Sequence, residues 1–386
     1  MTANAINAKG RPPVSLPRRI LIIQLGDIGD VVWSLPALRA VREAYPEATI
    51  AVLLREGNGS LLTADACPPE IFEVRKGSGG FLGRLAASLG LIRALRRQRF
   101  DIVFDLRGDE RGGYMAFATG APIRVAQHYP DMTWPRNSLF THLLTYPLSD
   151  VCTPEKAAAP SLGILRAFGI KVGSAVPELH LSDEIRRRAA ALLAVEGIAP
   201  NRKTGNAEGE KETGTGSNPG PGWVTLNPFS RWSYKEWSPK KWVQVIDWLW
   251  REHGLASVVV GSSAEREKAR EITEACRGKV CNLAGKSTLA ELAGILAQSR
   301  LQIGVDSAAP HIAAAVGTPT VTLYGPSDGQ YWGPPGDRHR IVAPEMACAP
   351  CHRKGCDGKG ISRCLDLLDV ARVQAAIGQA LAGRLG

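Results

Sequence analysis

The chain has 386 residues, 44% of them hydrophobic, and a formal net charge of +10, so it is longer than most single domains and apolar enough for two cores. No apolar run approaches the ~20 residues of a membrane span and the N-terminal segment lacks the apolar core of a secretory signal, so we expect a cytoplasmic protein. The positive charge favours an anionic partner, but no motif typical of nucleic-acid binding accompanies it, so we do not expect nucleic acid as that partner.

The first half of the chain alternates strand and helix patterns. Residues 1–18 are polar and punctuated by proline, and we expect them to be disordered. Residues 19–180 then form one α/β domain with a parallel sheet, because apolar strand segments are separated by helical segments. The predicted strands span residues 20–25, 49–54 and 101–106, and the predicted helices span residues 31–44, 84–98 and 112–119.

The loop between the first strand and the first helix has the sequence GDIGD, residues 26–30. A dinucleotide-binding loop would lie at this place, but the motif is not G-x-G-x-x-G, and its two acids would repel a pyrophosphate. Asp30 therefore has two interpretations. It either caps the helix that follows, or it serves as a general base toward a hydroxyl group of a substrate.

One predicted helix of the first half is unusually basic. Its other positions are rich in Leu, Ile and Ala, and no carboxylate interrupts it. Either this is the solvated face of an ordinary packed helix, or the helix contacts anionic lipid or a phosphorylated acceptor. The basic residues are Arg84, Arg93, Arg96, Arg97 and Arg99.

The second half repeats the α/β pattern after a linker. Residues 181–222 comprise a helix, 183–196, and a segment with almost no large apolar residues, which predicts a flexible connection. Residues 223–365 form a second Rossmann-like domain and residues 366–386 a C-terminal helix, and two such domains imply a cleft between them. The predicted strands are 224–226, 257–260, 301–305 and 320–324, and the helices are 240–252, 264–276 and 288–298.

The loop after the first strand of the second half carries several hydrogen-bond donors. Ser230, Arg231 and Lys235 lie within the sequence NPFSRWSYKEW. Positive charge and hydroxyl groups at the carboxyl end of a strand suit a departing diphosphate, and the alternative is a solvated basic loop.

Residues 304–328, with the sequence GVDSAAPHIAAAVGTPTVTLYGPSD, compress a strand, a short helix and a second strand into one unit. Asp306 and Ser307 stand at the start of the helix, Pro310 lies in its first turn, and Gly317 ends it. Unbonded amides at such a helix start bind phosphate or pyrophosphate, although the two polar residues could also merely cap the helix. We expect these amides to belong to Ala308, Ala309 and His311.

Four of the eight cysteines cluster near the C-terminus. Their spacing could place thiolates around a structural zinc ion, but the second pair lacks the tight spacing of zinc ribbons. We therefore favour reduced or opportunistically paired thiols and expect no cofactor. The four residues are Cys348, Cys351, Cys356 and Cys364.

Taken together, these segments resemble glycosyltransferase family 9, the ADP-heptose:lipopolysaccharide heptosyltransferases. The similar stretches are residues 20–50, the S-R…K-x-W loop, GSSAEREKA, NLAGKSTLAELAGILAQS and the unit at 304–328. The resemblance implies a GT-B fold, with two Rossmann-like domains facing each other across a cleft. It also implies an inverting, metal-independent transfer of heptose from ADP-heptose to an anionic sugar of the lipopolysaccharide inner core, with peripheral contact at the inner face of the inner membrane.

The resemblance also implies roles for individual residues. Asp30 matches the catalytic base, and Lys235 matches a lysine near the diphosphate and sugar. Asp306 is expected to contact the transferred sugar. Ser230 matches a hydroxyl donor that precedes Lys235. The remaining positions match donor-binding residues, with His311 close by: Glu265 for the ribose, Ser287 for the adenine, and Ser307 and Ala308 for the diphosphate.

Three alternatives share parts of this pattern. A GT-B transferase that uses a hexose donor or another cell-envelope glycan acceptor is the nearest. A nicotinamide-dependent oxidoreductase shares the strand-loop-helix units, but the first loop is acidic. A non-catalytic sugar-nucleotide binding protein would not need Asp30.

Overall fold

The fold is described from a computed structural model, which covers residues 5–6, 16–75, 80–132, 135–146, 156–199, 222–356 and 360–383. The chain divides into two compact units, Met1–Leu179 and His180–Gly386. Most of the predicted disordered segment 1–18 and of the predicted flexible linker lies outside the described residues. Among the residues that are described, no helix combines the length and the apolar character needed to cross a bilayer.

The first unit is built on a seven-stranded sheet of order β1-β7-β6-β5-β2-β3-β4. All neighbouring strands are parallel except β1, which pairs antiparallel with β7. The strands are β1 Ala5–Ile6, β2 Arg19–Gln24, β3 Thr49–Arg55, β4 Glu70–Val74, β5 Ile102–Asp105, β6 Ile123–Gln127 and β7 His142–Leu144. The helices are α1 Ile28–Trp33, α2 Leu35–Ala44, α3 Gly59–Leu62, α4 Phe81–Arg97, α5 Glu110–Thr119 and α6 Ala159–Phe168.

The helix predicted at residues 31–44 is two helices, and this part of the prediction is wrong. Helix α1 ends at Trp33 and α2 begins at Leu35, with Ser34 between them. Pro36 explains the break. It has no backbone N–H to donate to the preceding turn, and its ring obstructs a continuous helix, whereas it fits the first turn of a new one.

The second unit is built on a six-stranded parallel sheet of order β10-β9-β8-β11-β12-β13. The strands are β8 Trp223–Asn227, β9 Ala256–Val259, β10 Val280–Asn282, β11 Gln302–Val305, β12 Thr320–Leu323 and β13 His339–Val342. The helices are α7 Asp183–Val195, α8 Pro239–His253, α9 Arg266–Ala275, α10 Leu289–Gln298, α11 Ala308–Ala315, α12 Gly329–Trp332, α13 Arg363–Leu367 and α14 Val370–Ala382.

Helix α8 shows why these segments fold onto the sheet. Trp242, Val245, Ile246 and Leu249 recur at helical spacing and are fully buried, whereas the opposite face carries polar residues. Each large apolar side chain that leaves water contributes roughly 1.5–3 kcal/mol. The apolar stripe therefore fixes α8 against β8 and its neighbours.

Helix α7 packs within the second unit, although the sequence pattern places it in the segment between the domains. A Cβ atom built on Gly294 of α10 would lie 2.7 Å from the Cβ atom of Ala189. Glycine at this position thus allows α7 and α10 to approach closely. Arg188 of α7 adds an ion pair with Glu291 of α10 at 2.7 Å.

Parallel strands place all their carboxyl ends at one edge of a sheet. The loops that follow β10, β9, β8 and β11 are therefore neighbours, in that spatial order, at the carboxyl edge of the second sheet. Open α/β sheets bind ligands at this edge. In the first sheet, the loops after β2, β3 and β5 are neighbours for the same reason.

Candidate active site

The centre of the second sheet's carboxyl edge is an ion pair between Lys235 and Asp306. The Nζ atom of Lys235 lies 2.6 Å from Oδ2 of Asp306, and the two side chains are only 22% and 10% exposed. Lys235 ends the short 3-10 helix Ser233–Lys235 after β8, and Asp306 directly follows β11. Because β8 and β11 are paired strands, the fold brings these two residues into contact across 71 positions of sequence.

Two serines flank this ion pair. The hydroxyl of Ser230 donates to the backbone carbonyl of Asp306 at 3.4 Å, and the hydroxyl of Ser307 donates to Oδ1 of Asn227 at 2.7 Å. Asn227 also donates from Nδ2 to the carbonyl of Val260 at 3.0 Å. Asn227 thus ties together the ends of β8, β9 and β11. Asn227 is not among the predicted site residues. A polar residue at the carboxyl end of a buried strand is, however, a sequence feature from which it could have been predicted.

Helix α11 begins where the sequence predicts. Ser307 is its N-cap residue, the helix runs from Ala308 to Ala315, and Gly317 follows with a left-handed φ of 83°. The amides of the N-cap and of the first three residues have no partner inside a helix, and Pro310 has no amide to offer. His311 is the fourth helical residue, so the expectation that its amide is unbonded is wrong. The amides of Ser307, Ala308 and Ala309 remain.

The His311 side chain is buried beneath the ion pair. Burial lowers the pKa of this imidazole to about 4, an effect that Asp306 opposes and Lys235 reinforces. His311 is therefore neutral at neutral pH. Because the ring is uncharged, the positive charge of this region comes from Lys235 and from the partial charge at the start of α11.

The loops that carry Glu265 and Ser287 also touch each other. The amide of Gly285 donates to the carbonyl of Gly261 at 2.9 Å. Gly285 has a φ of 68°, and a Cβ atom there would lie 2.5 Å from Cα of Ser263. Only glycine fits this approach, which brings the turns after β9 and β10 side by side.

Glu265 is held by its own turn. Its Oε2 atom accepts a hydrogen bond from the amide of Ser262 at 2.6 Å. The side chain of Ser262 accepts in return from the backbone of Glu265. This capping box fixes the carboxylate at the start of the 3-10 helix Ser263–Glu265, next to α9. Ser287 lies half-buried in the neighbouring turn.

A further acid, Glu236, organises the basic loop after β8. Its Oε1 atom accepts from the amide of Ser230 at 3.2 Å, and its Oε2 atom pairs with Lys268 at 3.1 Å. The Arg231 guanidinium lies 5.2 Å from the ring centroid of Trp232. The loop is thus held by specific contacts, and Glu236 is a residue that the sequence pattern does not predict.

In the first unit, Asp30 caps α1, which is one of the two roles between which the sequence leaves a choice. Its Oδ2 atom accepts a hydrogen bond from the amide of Asp27 at 2.8 Å, which caps α1. The same oxygen pairs with Nη1 of Arg107 at 3.1 Å, and the Asp30 side chain is 30% exposed. Nε of Arg107 pairs in turn with Asp109 at 3.0 Å. The carboxylate is therefore held in position and remains partly accessible.

Asp105 supports the loop that carries Arg107. Its Oδ1 atom accepts from the amides of Arg107 and Gly108, at 3.2 and 3.0 Å. The side chain is fully buried, and burial raises the pKa of this carboxyl to about 7, although the two backbone hydrogen bonds and the charge of Arg136 oppose the rise. Asp105 and Arg136 are thus two buried polar residues, each of which influences the pKa of the other.

Comparison with known proteins decides the family. A sequence profile of glycosyltransferase family 9 (heptosyltransferase) matches residues 88–361. The chain belongs to glycosyltransferase family 9. It is 26% identical over 311 residues to lipopolysaccharide heptosyltransferase 3 of Escherichia coli K12, and the match covers 79% of this chain and 82% of that one.

Solved structures show the same fold for this family 9 glycosyltransferase. A glycosyl transferase family 9 protein of Veillonella parvula matches with a TM-score of 0.74 at 21% identity, over 95% of this chain and 97% of that one. The ADP-heptose LPS heptosyltransferase II of E. coli matches with a TM-score of 0.71 at 20% identity, over 95% and 100%. The predictions of a GT-B fold and of a glycosyltransferase are confirmed.

The segment that carries the four clustered cysteines, residues 348–364, contacts the loop of this glycosyltransferase that carries Lys235. Ser362 donates to the carbonyl of Tyr234 at 2.6 Å, and Ser233 donates to the carbonyl of Gly360 at 3.1 Å. Within the described part of the chain, no group of three metal-ligating side chains is arranged to hold a metal ion. In this segment Cys348 is exposed and Cys364 is buried. Burial raises the pKa of the Cys364 thiol, and the neighbouring cysteines add to the rise.

Proposed function

We propose that this protein is an inverting heptosyltransferase that moves heptose from ADP-heptose to a sugar of the lipopolysaccharide inner core. The observation that carries the proposal is the Lys235–Asp306 ion pair beside the start of α11, which puts a cation, a carboxylate and open amides in one place. The family supports the reaction class. The similarity to lipopolysaccharide heptosyltransferase 3 and to the ADP-heptose LPS heptosyltransferase II supports the choice of sugar and acceptor.

The spatial order of the loops supports a placement of the donor on the second unit. Going from β10 to β11, the loops present first Ser287, then Glu265, then Lys235 and finally Asp306. An extended ADP-heptose would meet these residues in the order adenine, ribose, diphosphate and sugar. Ser230, Arg231, Ser307 and Ala308 would then contact the diphosphate, with His311 packed behind it.

We propose that Asp30 of the first unit acts as the general base. It removes a proton from a hydroxyl of the acceptor, whose oxygen attacks the anomeric carbon from the side opposite the diphosphate. The bond from that carbon to the diphosphate oxygen breaks, so the configuration inverts and ADP leaves. The ion pair with Arg107 would hold the Asp30 carboxylate in place for this step.

Negative charge develops on the departing diphosphate. Lys235 and the amides of Ser307, Ala308 and Ala309 are the groups suited to stabilise it. We propose that these groups act without a divalent cation and that the reaction needs no cofactor. We also propose that the acceptor is an anionic sugar of the lipopolysaccharide core. The protein would act on the cytoplasmic side, in peripheral contact with the inner membrane.

A donor panel tests the proposed function. The purified protein is incubated with ADP-heptose, an ADP-hexose and a UDP-hexose, and transfer to a truncated core acceptor is measured with and without a chelator. Transfer from ADP-heptose in both conditions is expected. A preference for a hexose donor would refute the sugar assignment, and loss of transfer in chelator would refute metal independence.

A matched pair of variants tests the base. Asp30→Asn removes the proton acceptor and is expected to lower kcat about 10²–10⁴-fold. Asp109→Asn is the control, because Asp109 also pairs with Arg107 and because asparagine can still cap α5 as Asp109 does. Near-normal turnover of Asp30→Asn would exclude the general-base role.

A further inference from the structure

Two neighbouring helices of the first unit expose large apolar side chains to solvent. Leu85 and Leu89 of α4 are 45% and 42% exposed, and Tyr114 and Phe117 of α5 are 47% and 52% exposed. We call the surface formed by these four residues, together with Arg93, Arg97 and Arg111, the α4/α5 surface. Clustered exposed residues of this size mark interaction sites more often than scattered ones do.

The packing of the C-terminal half of α4 fixes which of its faces is outward there. Leu91 and Leu95 pack into the core of the unit, and Nε of Arg96 donates to the carbonyl of Ala118 in α5 at 2.9 Å, which holds the two helices side by side. Residues four apart lie on one ridge of a helix. Leu85, Leu89, Arg93 and Arg97 form such a ridge, and all four are exposed.

The charge of this surface has one sign. Helix α4 contains four arginines and no aspartate or glutamate, and in α5 the single acid, Glu110, is offset by Arg111. Leucine and aromatic side chains next to arginines match the interface of a bilayer, where apolar groups enter the acyl boundary and cations meet anionic headgroups. A second copy of this chain offers no such match, because the same positive surfaces would repel each other.

We propose that the α4/α5 surface docks this protein onto an anionic phospholipid bilayer. Helix α4 follows β4 and leads back to the parallel strand β5, so its first turns, with Leu85, lie toward the carboxyl edge of the sheet. Asp30 lies in the first turn of α1 at the same edge. One part of this assignment rests on the proposed function: docking would bring a lipid-anchored acceptor close to Asp30.

Vesicle sedimentation tests the docking without reference to transfer. The full chain is mixed with vesicles of phosphatidylcholine alone or with about 30 mol% phosphatidylglycerol. Binding is expected only to the anionic vesicles and is expected to weaken as salt is raised. Equal binding to both vesicle types, or binding to neither, would overturn the proposal.

Variants then localise the contact. Leu85→Ser with Leu89→Ser is expected to lower the vesicle partition coefficient about tenfold or more, and Arg93→Gln with Arg97→Gln about fivefold per arginine. The controls are Val195→Ser and Arg251→Gln, which change an exposed apolar residue and an exposed arginine of the second unit. Equal losses in the controls would overturn the assignment to this surface.

Two further measurements separate the possible failures. Transfer to a short soluble acceptor is expected to be unchanged in the α4/α5 variants, so a failure of docking and a failure of the proposed function give different results. Sedimentation velocity compares the wild-type protein with the leucine variants. The leucine substitutions are expected to leave the oligomeric state unchanged. If they abolish a self-association of the wild-type protein, the surface is an interface between copies and the bilayer proposal is wrong.

Discussion

At the scale of single residues, the Lys235–Asp306 ion pair gives the sharpest prediction. Lys235→Ala removes the cation beside the proposed diphosphate site and leaves the carboxylate of Asp306, only 10% exposed, without its partner. Loss of one such stabilising group costs about 10²–10³ in kcat. Steady-state kinetics checks this, with Lys240→Ala, an exposed lysine at the start of α8, as the control. Similar kcat values for the two variants would contradict the role of Lys235.

Asp105 gives a pH prediction. Its pKa is raised from 3.8 to about 7, so between these values the folded protein holds a proton that the unfolded chain releases, and stability falls as pH rises. The full difference corresponds to roughly 4 kcal/mol. Asp105→Asn cannot ionise, so the variant is expected to gain stability relative to the wild type as pH rises from about 4 to about 7. Urea unfolding of both proteins checks this, and a constant difference in unfolding free energy would contradict it.

Which site residues can be predicted from sequence depends on whether they belong to a recognisable motif. Lys235 and Asp306 belong to recognisable motifs, and the structure joins them. Arg107 and Asn227 escape prediction because they act on partners that are 77 and 80 positions away, Asp30 and Ser307. Such contacts follow from the strand order, which no local pattern reveals.

At the scale of elements, Asn227 links three strand ends, and its effect can be isolated. Asn227→Ala is expected to destabilise the protein by about 1–3 kcal/mol, because it leaves the buried Val260 carbonyl without its side-chain donor. A double-mutant cycle with Ser307→Ala is expected to give a coupling energy of about 1 kcal/mol, measured by urea unfolding. Additive effects would mean that the Ser307–Asn227 hydrogen bond does not fasten α11 to β8.

Three of the strands that the sequence does not predict share a physical cause. Strands β4, β10 and β13 lie at sheet edges and contain mostly half-buried residues. They lack the continuous apolar run that identifies buried strands such as β2 and β11. The single helix predicted at residues 31–44 fails for another reason: the apolar pattern runs through both α1 and α2, and only Pro36 marks the break.

At the scale of the whole molecule, each unit has its own sheet with its own carboxyl edge, and the proposed assignment of the donor to one of these edges makes a prediction for ADP alone. The proposed adenine, ribose and diphosphate contacts all belong to the second unit. Hydrogen exchange measured by mass spectrometry should therefore slow in the loops after β8, β9, β10 and β11 when ADP is added. The loops after β2 and β5 in the first unit should keep their exchange rates, because none of the proposed ADP contacts lies there.

The cause of this protection is that bound phosphate oxygens satisfy amides that otherwise exchange with water. The largest effect is therefore expected at Ser307, Ala308 and Ala309, at the start of α11. Lys235→Ala at the same ADP concentration should lose part of the protection at these amides and keep it near Ser287, because the adenine contact does not depend on the lysine. If ADP instead slowed exchange around Asp30, the nucleotide would be assigned to the first unit, and the proposed roles of the two sheets would be reversed.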